Sequence, residues 1–357
     1  MSKKIFNYLI LLIFLPAICF ADKIVIKESA PEAYVVVKGD TLWDISNMYL
    51  SQPWLWPQLW RTNVHIINPH LIYPGDELFL RIDENGQPVI DLVRNGGKTE
   101  LKISPAGDKV RKPARPISTL PWSIIKAHLD HDMIMTQQDY DMHPYILGDE
   151  EGSVRFVTDD LVLSQPLNDN IENYWVVRQQ NKIHDLEGNL LGLQVRHLAD
   201  AKPFESTLEK QVLIEIKQAR LEVKRGDKLM PAAQGYADVV ELVAAQEQRG
   251  NIVDDLEQHN LLGKHDVVIL DLGEGEVTAG TVMGIYAQGP NIIDSDNPKY
   301  EGETSFVVNA LSRGDEIKQP ALRVGEVVVF KVFNKASYAL ITQSTKLIRK
   351  GAIVAKP

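Results

Sequence analysis

The segment 34–82 constrains the fold of this chain more than any other stretch, because apolar runs and chain-reversing residues alternate closely within it. A β-rich run at 34–37 favours a short strand. Gly39 permits a sharp turn, after which Asp40 or Thr41 is expected to cap a helix. That helix presents one apolar stripe, formed at i, i+3 and i+7 by Leu42, Ile45 and Tyr49.

The second half of the segment returns the chain to the first strand. Pro57 suits the first turn of a second helix, which is expected to reach about Asn63. Turn-forming residues follow, and alternation then predicts a strand containing Leu78, Leu80 and Ile82. A domain of this size requires an antiparallel strand pair with both helices on one face. The loops 38–42 and 68–75 are therefore expected to lie side by side.

The two ends of this segment carry a recognisable pattern, Lys-Gly-Asp-Thr-Leu-Trp at 38–43 and Asn-Pro to Tyr-Pro-Gly-Asp at 68–76. The pattern resembles the LysM family, small βααβ domains that bind glycans containing N-acetylglucosamine, such as peptidoglycan. The resemblance implies a LysM domain at 34–82 with a glycan groove between its two loops. The implied groove residues are Gly39, Asp40, Thr41 and Leu42 on one wall, and Pro69, Leu71, Ile72 and Tyr73 on the other.

A neutral sugar offers little charge, so binding in such a groove depends on backbone polar groups and an apolar floor. Ile72 and Tyr73 are the residues most expected to contact the ligand. Turn geometry by itself also explains Gly39, Pro74 and Gly75.

A tryptophan-rich insertion at 52–57, between the two predicted helices, departs from the common LysM pattern. Four of the six tryptophans of the chain fall within 43–60, at Trp43, Trp54, Trp56 and Trp60. Exposed aromatic clusters often mark interfaces, which would make this a surface for sugar stacking or partner docking. Alternatively, the tryptophans fill the core of a domain that is too small to close otherwise.

The start of the chain predicts export from the cytoplasm. Lys3 and Lys4 precede an apolar run at 5–15, and small residues allow cleavage after Ala21. The run is shorter than the roughly 20 residues that span a bilayer, although an uncleaved anchor is the alternative. Residues 1–21 are therefore predicted to be a signal peptide, and the mature protein to be periplasmic and associated with the cell wall.

Cysteine content and charge exclude several classes of function. Cys19 is the single cysteine, so cleavage leaves no disulfide, and Ile18 disfavours lipid attachment at Cys19. The formal net charge is −10, and it becomes −12 without Lys3 and Lys4. This acidic balance argues against nucleic-acid binding and offers no polybasic attraction to anionic lipid.

The remainder of the chain predicts an α+β protein with β-rich modules after the LysM domain. Residues 83–118 are predicted to be a linker, although 88–93 alternates weakly. A mixed, β-rich middle region is expected at 119–205. From 206 to 357, short strands with glycine-rich turns predict a small sandwich or barrel, with a long polar loop at 287–320.

An ordered set of motifs in the last third adds a second resemblance. The motifs are 225–229, 266–269, 280–286, 324–333 and 337–341. Together with the Trp-Leu-Trp-Pro form of the insertion, they resemble the TsaP family, whose C-terminal part is similar to that of the flagellar protein FlgT. The resemblance implies a periplasmic adaptor that holds peptidoglycan and braces the outer-membrane secretin of type IV pili, with an oligomer around the secretin ring. The alternative is a general wall-binding protein, or a regulator of wall hydrolases, without a role in pili.

Catalytic signatures are incomplete throughout the sequence. The mature chain lacks the cysteine nucleophile of papain-like hydrolases and L,D-transpeptidases. The histidine group has no established zinc spacing, and the serine motifs lack their third member. These candidates are His128, His131, Asp132 and His143 for metal, and Ser123, Lys126 and 295–297 for serine chemistry. We therefore expect no enzyme, no metal and no cofactor, although a chance pair of carboxylates for glycan hydrolysis stays open.

Overall fold

The helix predicted after Gly39 is present in the computed structural model as α1 (Leu42–Tyr49), preceded by β1 (Ala33–Val35). Thr41 is the N-cap, and its hydroxyl accepts a hydrogen bond from the backbone N–H of Asp44 at 3.1 Å. A 3₁₀ turn (Pro53–Leu55) and a short helix α2 (Trp56–Leu59) follow, and the chain returns through β2 (Glu77–Ile82). The βααβ order predicted from the sequence is confirmed.

Two compact units divide the chain, Met1–Ile117 and Ser118–Pro357. The structure describes residues 24–63, 72–94, 120, 125, 129, 132–168, 170–204, 211–232, 242–294, 298–300 and 315–357. The predicted signal peptide 1–21 and residues 95–118 of the predicted linker lie outside the described residues. No helix in the described ranges is long and apolar enough to cross a membrane.

The second helix ends earlier than the sequence predicts, because Asn63 has another role. Its buried side chain donates to the carbonyl of Ile90 at 2.5 Å and accepts from the N–H of Leu92 at 3.0 Å. These bonds hold β3 (Pro88–Val93), which pairs antiparallel with β2 to give the sheet order β1-β2-β3. This strand lies inside the segment predicted as a linker, and it pairs because Val89, Ile90 and Leu92 are buried.

The second unit begins with a large antiparallel sheet. Its strands follow the order β12-β8-β9-β10-β7-β5, with β4 also paired to β9. The elements are β4 (Asp132–Met135), α3 (Gln137–Met142), β5 (Ile146–Gly148), β6 (Arg155–Phe156), β7 (Leu161–Ser164), β8 (Tyr174–His184), β9 (Leu190–Phe204), β10 (Val212–Ala219), β11 (Val223–Lys224) and β12 (Lys228–Pro231). The short strands β6 and β11 pair with each other.

The boundary predicted after residue 205 falls inside this sheet. β10 pairs with both β7 and β9, and β12 pairs with β8. The strands at 212–231 therefore belong with the middle region rather than with the C-terminal module. The sequence did not place them there, because a strand carries no local signal of the sheet that it joins.

The last part of the chain forms a closed six-stranded barrel with an apolar interior. Each barrel strand pairs with two neighbours, in the order β16-β20-β21-β15-β14-β22 and back to β16. These strands are β14 (Gly250–Asp255), β15 (Val267–Leu270), β16 (Thr281–Gln288), β20 (Ala321–Val332), β21 (Ser337–Ser344) and β22 (Ile353–Ala355). The sequence left a sandwich and a barrel open, and the closure by β22 decides for the barrel.

Four further strands of this last part of the chain lie outside the closed ring of the barrel among the described residues. β13 (Val243–Ala244) pairs parallel with β16. Within the predicted polar loop 287–320 lies a separate three-stranded sheet of β17 (Ile292–Asp294), β18 (Lys299–Tyr300) and β19 (Asp315–Ile317). The described residues of the predicted loop therefore form paired strands, which its polar composition did not indicate.

Candidate glycan-binding site

The first wall of the predicted groove is a turn closed by its own aspartate. Asp40 accepts hydrogen bonds from the backbone N–H of Val37 and from the hydroxyl of Tyr34, both at 2.9 Å. Gly39 has a φ of +106°, a conformation that favours glycine. Burial, followed by the hydrogen bond with Asp40, raises the pKa of Tyr34, so its hydroxyl stays neutral. The Asp40 carboxylate is thus engaged in holding the turn.

The second wall contains a turn of the same construction. Asp76 accepts from the backbone N–H of Tyr73 at 2.9 Å, and Gly75 has a φ of +97°. Backbone bonds join the two walls, since Val36 donates to the carbonyl of Asp76 at 2.9 Å and accepts from Gly75 at 2.8 Å. The described parts of the two loops therefore lie side by side, as the strand pairing requires.

The same turn also occurs in the second unit. At 224–227, Asp227 accepts from the N–H of Lys224 at 2.7 Å, and Gly226 has a φ of +87°. The glycines and aspartates of both groove loops are therefore accounted for by chain reversal. These glycines and aspartates determine the backbone conformation of the two loops.

Three residues predicted for the groove have buried side chains. Thr41 is occupied as the N-cap of α1, and Leu42 is 3% exposed. Ile72 is fully buried and lines the same apolar interior as Leu42. The Ile72 side chain therefore forms part of the core, and contact between Ile72 and the ligand stays a prediction. Ile45, Leu59 and Leu78 line the same interior.

Tyr73 is the predicted groove residue with an accessible aromatic side chain. It is half-buried, and the Arg94 guanidinium lies 5.2 Å from its ring centre. Arg94 also lies 3.6 Å from the carboxylate of Asp76. Sequence reasoning missed Arg94, because it sits within the predicted linker and reaches the groove only through the pairing of β3. Pro69 and Leu71 lie outside the described residues.

The structure decides between the two interpretations of the tryptophans. Trp43, Trp54, Trp56 and Trp60 are all buried, with exposed fractions of 3% to 7%. They pack around α1 and the short α2, where burial also raises the pKa of Tyr49 to about 12. The insertion therefore builds the core of the domain, and its indole rings are not available for stacking on a sugar.

Comparison with known proteins identifies this segment. Residues 34–81 match the LysM domain family. The chain thus contains a LysM domain, and LysM domains bind peptidoglycan and other N-acetylglucosamine glycans. A stretch of 61 residues is 36% identical to the uncharacterized protein YqbP of Bacillus subtilis (strain 168). The match covers 14% of this chain, and this chain spans only 28% of that relative's length.

The catalytic candidates from the sequence gain no geometric support in the described residues. These residues hold no group of three or more His, Cys, Asp or Glu side chains that could bind a metal. Asp132 is paired with Arg196 at 3.2 Å instead. The remaining candidates other than His143 lie outside the described residues: His128, His131, Ser123, Lys126 and 295–297.

Proposed function

We propose that this chain is a non-catalytic periplasmic adaptor that anchors an envelope complex to the cell wall. The observation that carries the proposal is the LysM domain at 34–81, a glycan-binding module within the first of two units. The larger second unit is the part left to engage a protein partner. The resemblance of its motifs to the TsaP family names the type IV pilus secretin as that partner.

Attachment to the wall is tested by sedimenting the mature full-length chain with purified sacculi. Tyr73→Ala removes the accessible ring of the groove, and we expect a smaller bound fraction. Phe79→Ala is the matched control, because Phe79 is an exposed aromatic residue on β2 of the same domain. Equal loss in both variants, or no loss in either, would contradict binding at this groove.

The protein partner is tested by crosslinking in intact cells. Recovery of the secretin with the native chain supports the pilus assignment. Crosslinking to wall components without any secretin would favour the alternative, a general wall-binding protein or a regulator of wall hydrolases.

The proposed lack of catalytic activity is tested by a separate release assay. Sacculi incubated with the mature chain should release no soluble fragments over time. Time-dependent release would overturn the non-catalytic assignment.

A further inference from the structure

A polar cleft of about 450 Å³ lies within the second unit, between the large sheet and the barrel. One wall comes from the β8–β9 hairpin, and the other comes from the loop after β14. Its lining residues are Gln180, Asn181, Gln194, Arg196, Leu256, Glu257 and Gln258. Four carboxamides, one cation and one anion thus meet in a space of ligand size.

A β-bulge brings two of the carboxamides to the cleft. Gln179 pairs with Val195 and Lys182 pairs with Leu193, so that Gln180 and Asn181 together oppose Gln194. An extra residue in one strand bends it and redirects side chains, and such bulges are frequent beside binding sites. Here the redirected residues both line the cleft.

Gln194 carries a buried donor without a partner. Its side chain is 1% exposed, and its carbonyl oxygen accepts from Asn181 at 3.1 Å. Its Nε2 group has no hydrogen-bond partner. A buried polar group of this kind is costly and calls for an explanation, which a ligand accepting from it would supply.

The opposite wall is held in an unusual conformation. Gln258 has a φ of +60°, which residues other than glycine seldom adopt. The nearly buried Asp255 fixes this turn, because its carboxylate accepts from the backbone N–H groups of Glu257 at 3.2 Å and His259 at 2.8 Å. Backbone strain that is maintained by neighbouring bonds is typical of functional sites.

The charges on the two walls are opposite in sign. Arg196 is oriented by Asp132, with its Nε group 3.2 Å from the carboxylate, and Glu257 stands on the facing loop with a largely exposed side chain. None of the described lining residues is aromatic, so the cleft lacks a flat apolar floor for a sugar ring. A short peptide that carries both a carboxylate and an ammonium group matches this arrangement better than a neutral glycan does.

We propose that this cleft binds a short zwitterionic peptide. The peptide carboxylate pairs with Arg196, its ammonium group pairs with Glu257, and the four carboxamides bond to its peptide groups. Within a wall-binding protein, the peptides of peptidoglycan have this chemistry. The choice of probe rests on the proposed function, whereas the cleft is independent of the LysM domain.

The test is calorimetric titration of the mature full-length chain with N-acetyl-lysyl-D-alanyl-D-alanine. We expect binding to weaken about two- to fivefold in Glu257→Gln, because one largely exposed charged pair is lost. Glu187→Gln, at the exposed tip of the β8–β9 hairpin, is the matched control and should bind like the native chain. The same peptide with an amidated C-terminus should bind the native chain more weakly, a comparison that needs no variant to fold.

Three results would overturn the peptide assignment. The first is no binding of the peptide by the native chain, and the second is equal affinity in Glu257→Gln and Glu187→Gln. The third is a loss of binding to an N-acetylglucosamine trimer in Glu257→Gln, which would make the cleft a sugar site. Peptide binding by a chain that fails to sediment with sacculi would disprove attachment through the LysM domain and leave the cleft assignment standing.

Discussion

At the scale of single residues, burial separates those that build the LysM domain from those that can meet a ligand. Ile72 and Tyr73 are neighbours in the sequence, and both match the groove pattern. Ile72 is fully buried among apolar side chains, whereas Tyr73 is half-buried beside Arg94. Substitutions at the two positions should therefore have different effects.

Ile72→Asp should destabilise the domain by about 4 kcal/mol or more, because it places a carboxylate in an apolar interior. Ile72→Val, which removes one methylene group, should cost about 1 kcal/mol. Chemical denaturation followed by tryptophan fluorescence measures both, since four tryptophans pack in this core. A folded Ile72→Asp variant that fails to bind sacculi would instead indicate that Ile72 contacts the glycan.

His143 provides a prediction about pH. Burial, and then the nearby charge of Lys228, lowers the pKa of His143 below its ordinary value of 6.5. The unfolded chain therefore takes up a proton that the folded chain resists, and stability falls as the pH drops below 6.5 toward the folded pKa. Comparing the unfolding free energies of the native chain and His143→Gln at pH values on both sides of 6.5 isolates this effect. The native chain should lose more stability on acidification than the variant does.

At the scale of elements, one kind of turn recurs through both units. In each case the fourth residue, an aspartate, accepts from the backbone N–H of the first, and the third residue has a positive φ. The turns are 37–40, 73–76, 157–160, 224–227 and 263–266. The Gly-Asp pairs mark three of them in the sequence. Asp159 and His265 occupy the glycine position in the other two, where sequence alone gives no signal.

A second use of glycine, close backbone approach, appears at the end of β15. A Cβ atom on Gly273 would lie 2.3 Å from the carbonyl oxygen of Asn334. Gly273→Ala should therefore destabilise the barrel by about 1–3 kcal/mol, because rigid backbone has to move. Gly263→Ala is the control, since nothing lies within 4 Å of the Cβ position there. Similar unfolding temperatures for the two variants would show that the backbone near Gly273 can move enough to accommodate a methyl group.

At the scale of the second unit, a buried lysine connects the barrel to the large sheet. Lys331 on β20 is 5% exposed, and its ammonium group donates to the carbonyls of Leu129 at 2.6 Å and Asp132 at 2.9 Å. Burying an ammonium group is unfavourable unless it is well bonded, so these contacts fix β4 against the barrel. In the sequence Lys331 is only a charged residue within a predicted strand, and nothing indicates that it is buried.

Lys331→Met should remove this connection and leave two carbonyls without their donor. We expect a loss of about 3 kcal/mol, from hydrogen bonds to a charged group. Lys335→Met, in the exposed turn between β20 and β21, should be close to neutral. Differential scanning calorimetry would measure both losses. Equal unfolding temperatures for the two variants would contradict a structural role for Lys331.

The sequence by itself determined the features that depend on near neighbours. Thr41 and Asp44 define the start of α1 within a few residues, and Gly39 and Gly75 mark turns whose hydrogen bonds are local. The LysM pattern, the acidic charge and the β-rich composition of the last third are likewise readable from the chain. Local bonds of this kind form between groups that stay close in any fold.

Only the tertiary structure decided which surfaces are buried and which distant strands pair. It placed the tryptophans and Ile72 in the core, added β3 to the LysM sheet, and assigned 212–231 to the large sheet. It also closed the barrel through β22 and assembled the polar cleft from the β8–β9 hairpin and the loop after β14. Some of these outcomes depend on partners remote in the sequence, such as β22 with β16, whereas β2 and β3 are neighbours. In both cases a strand or an apolar side chain carries no local signal of the surface that it will cover.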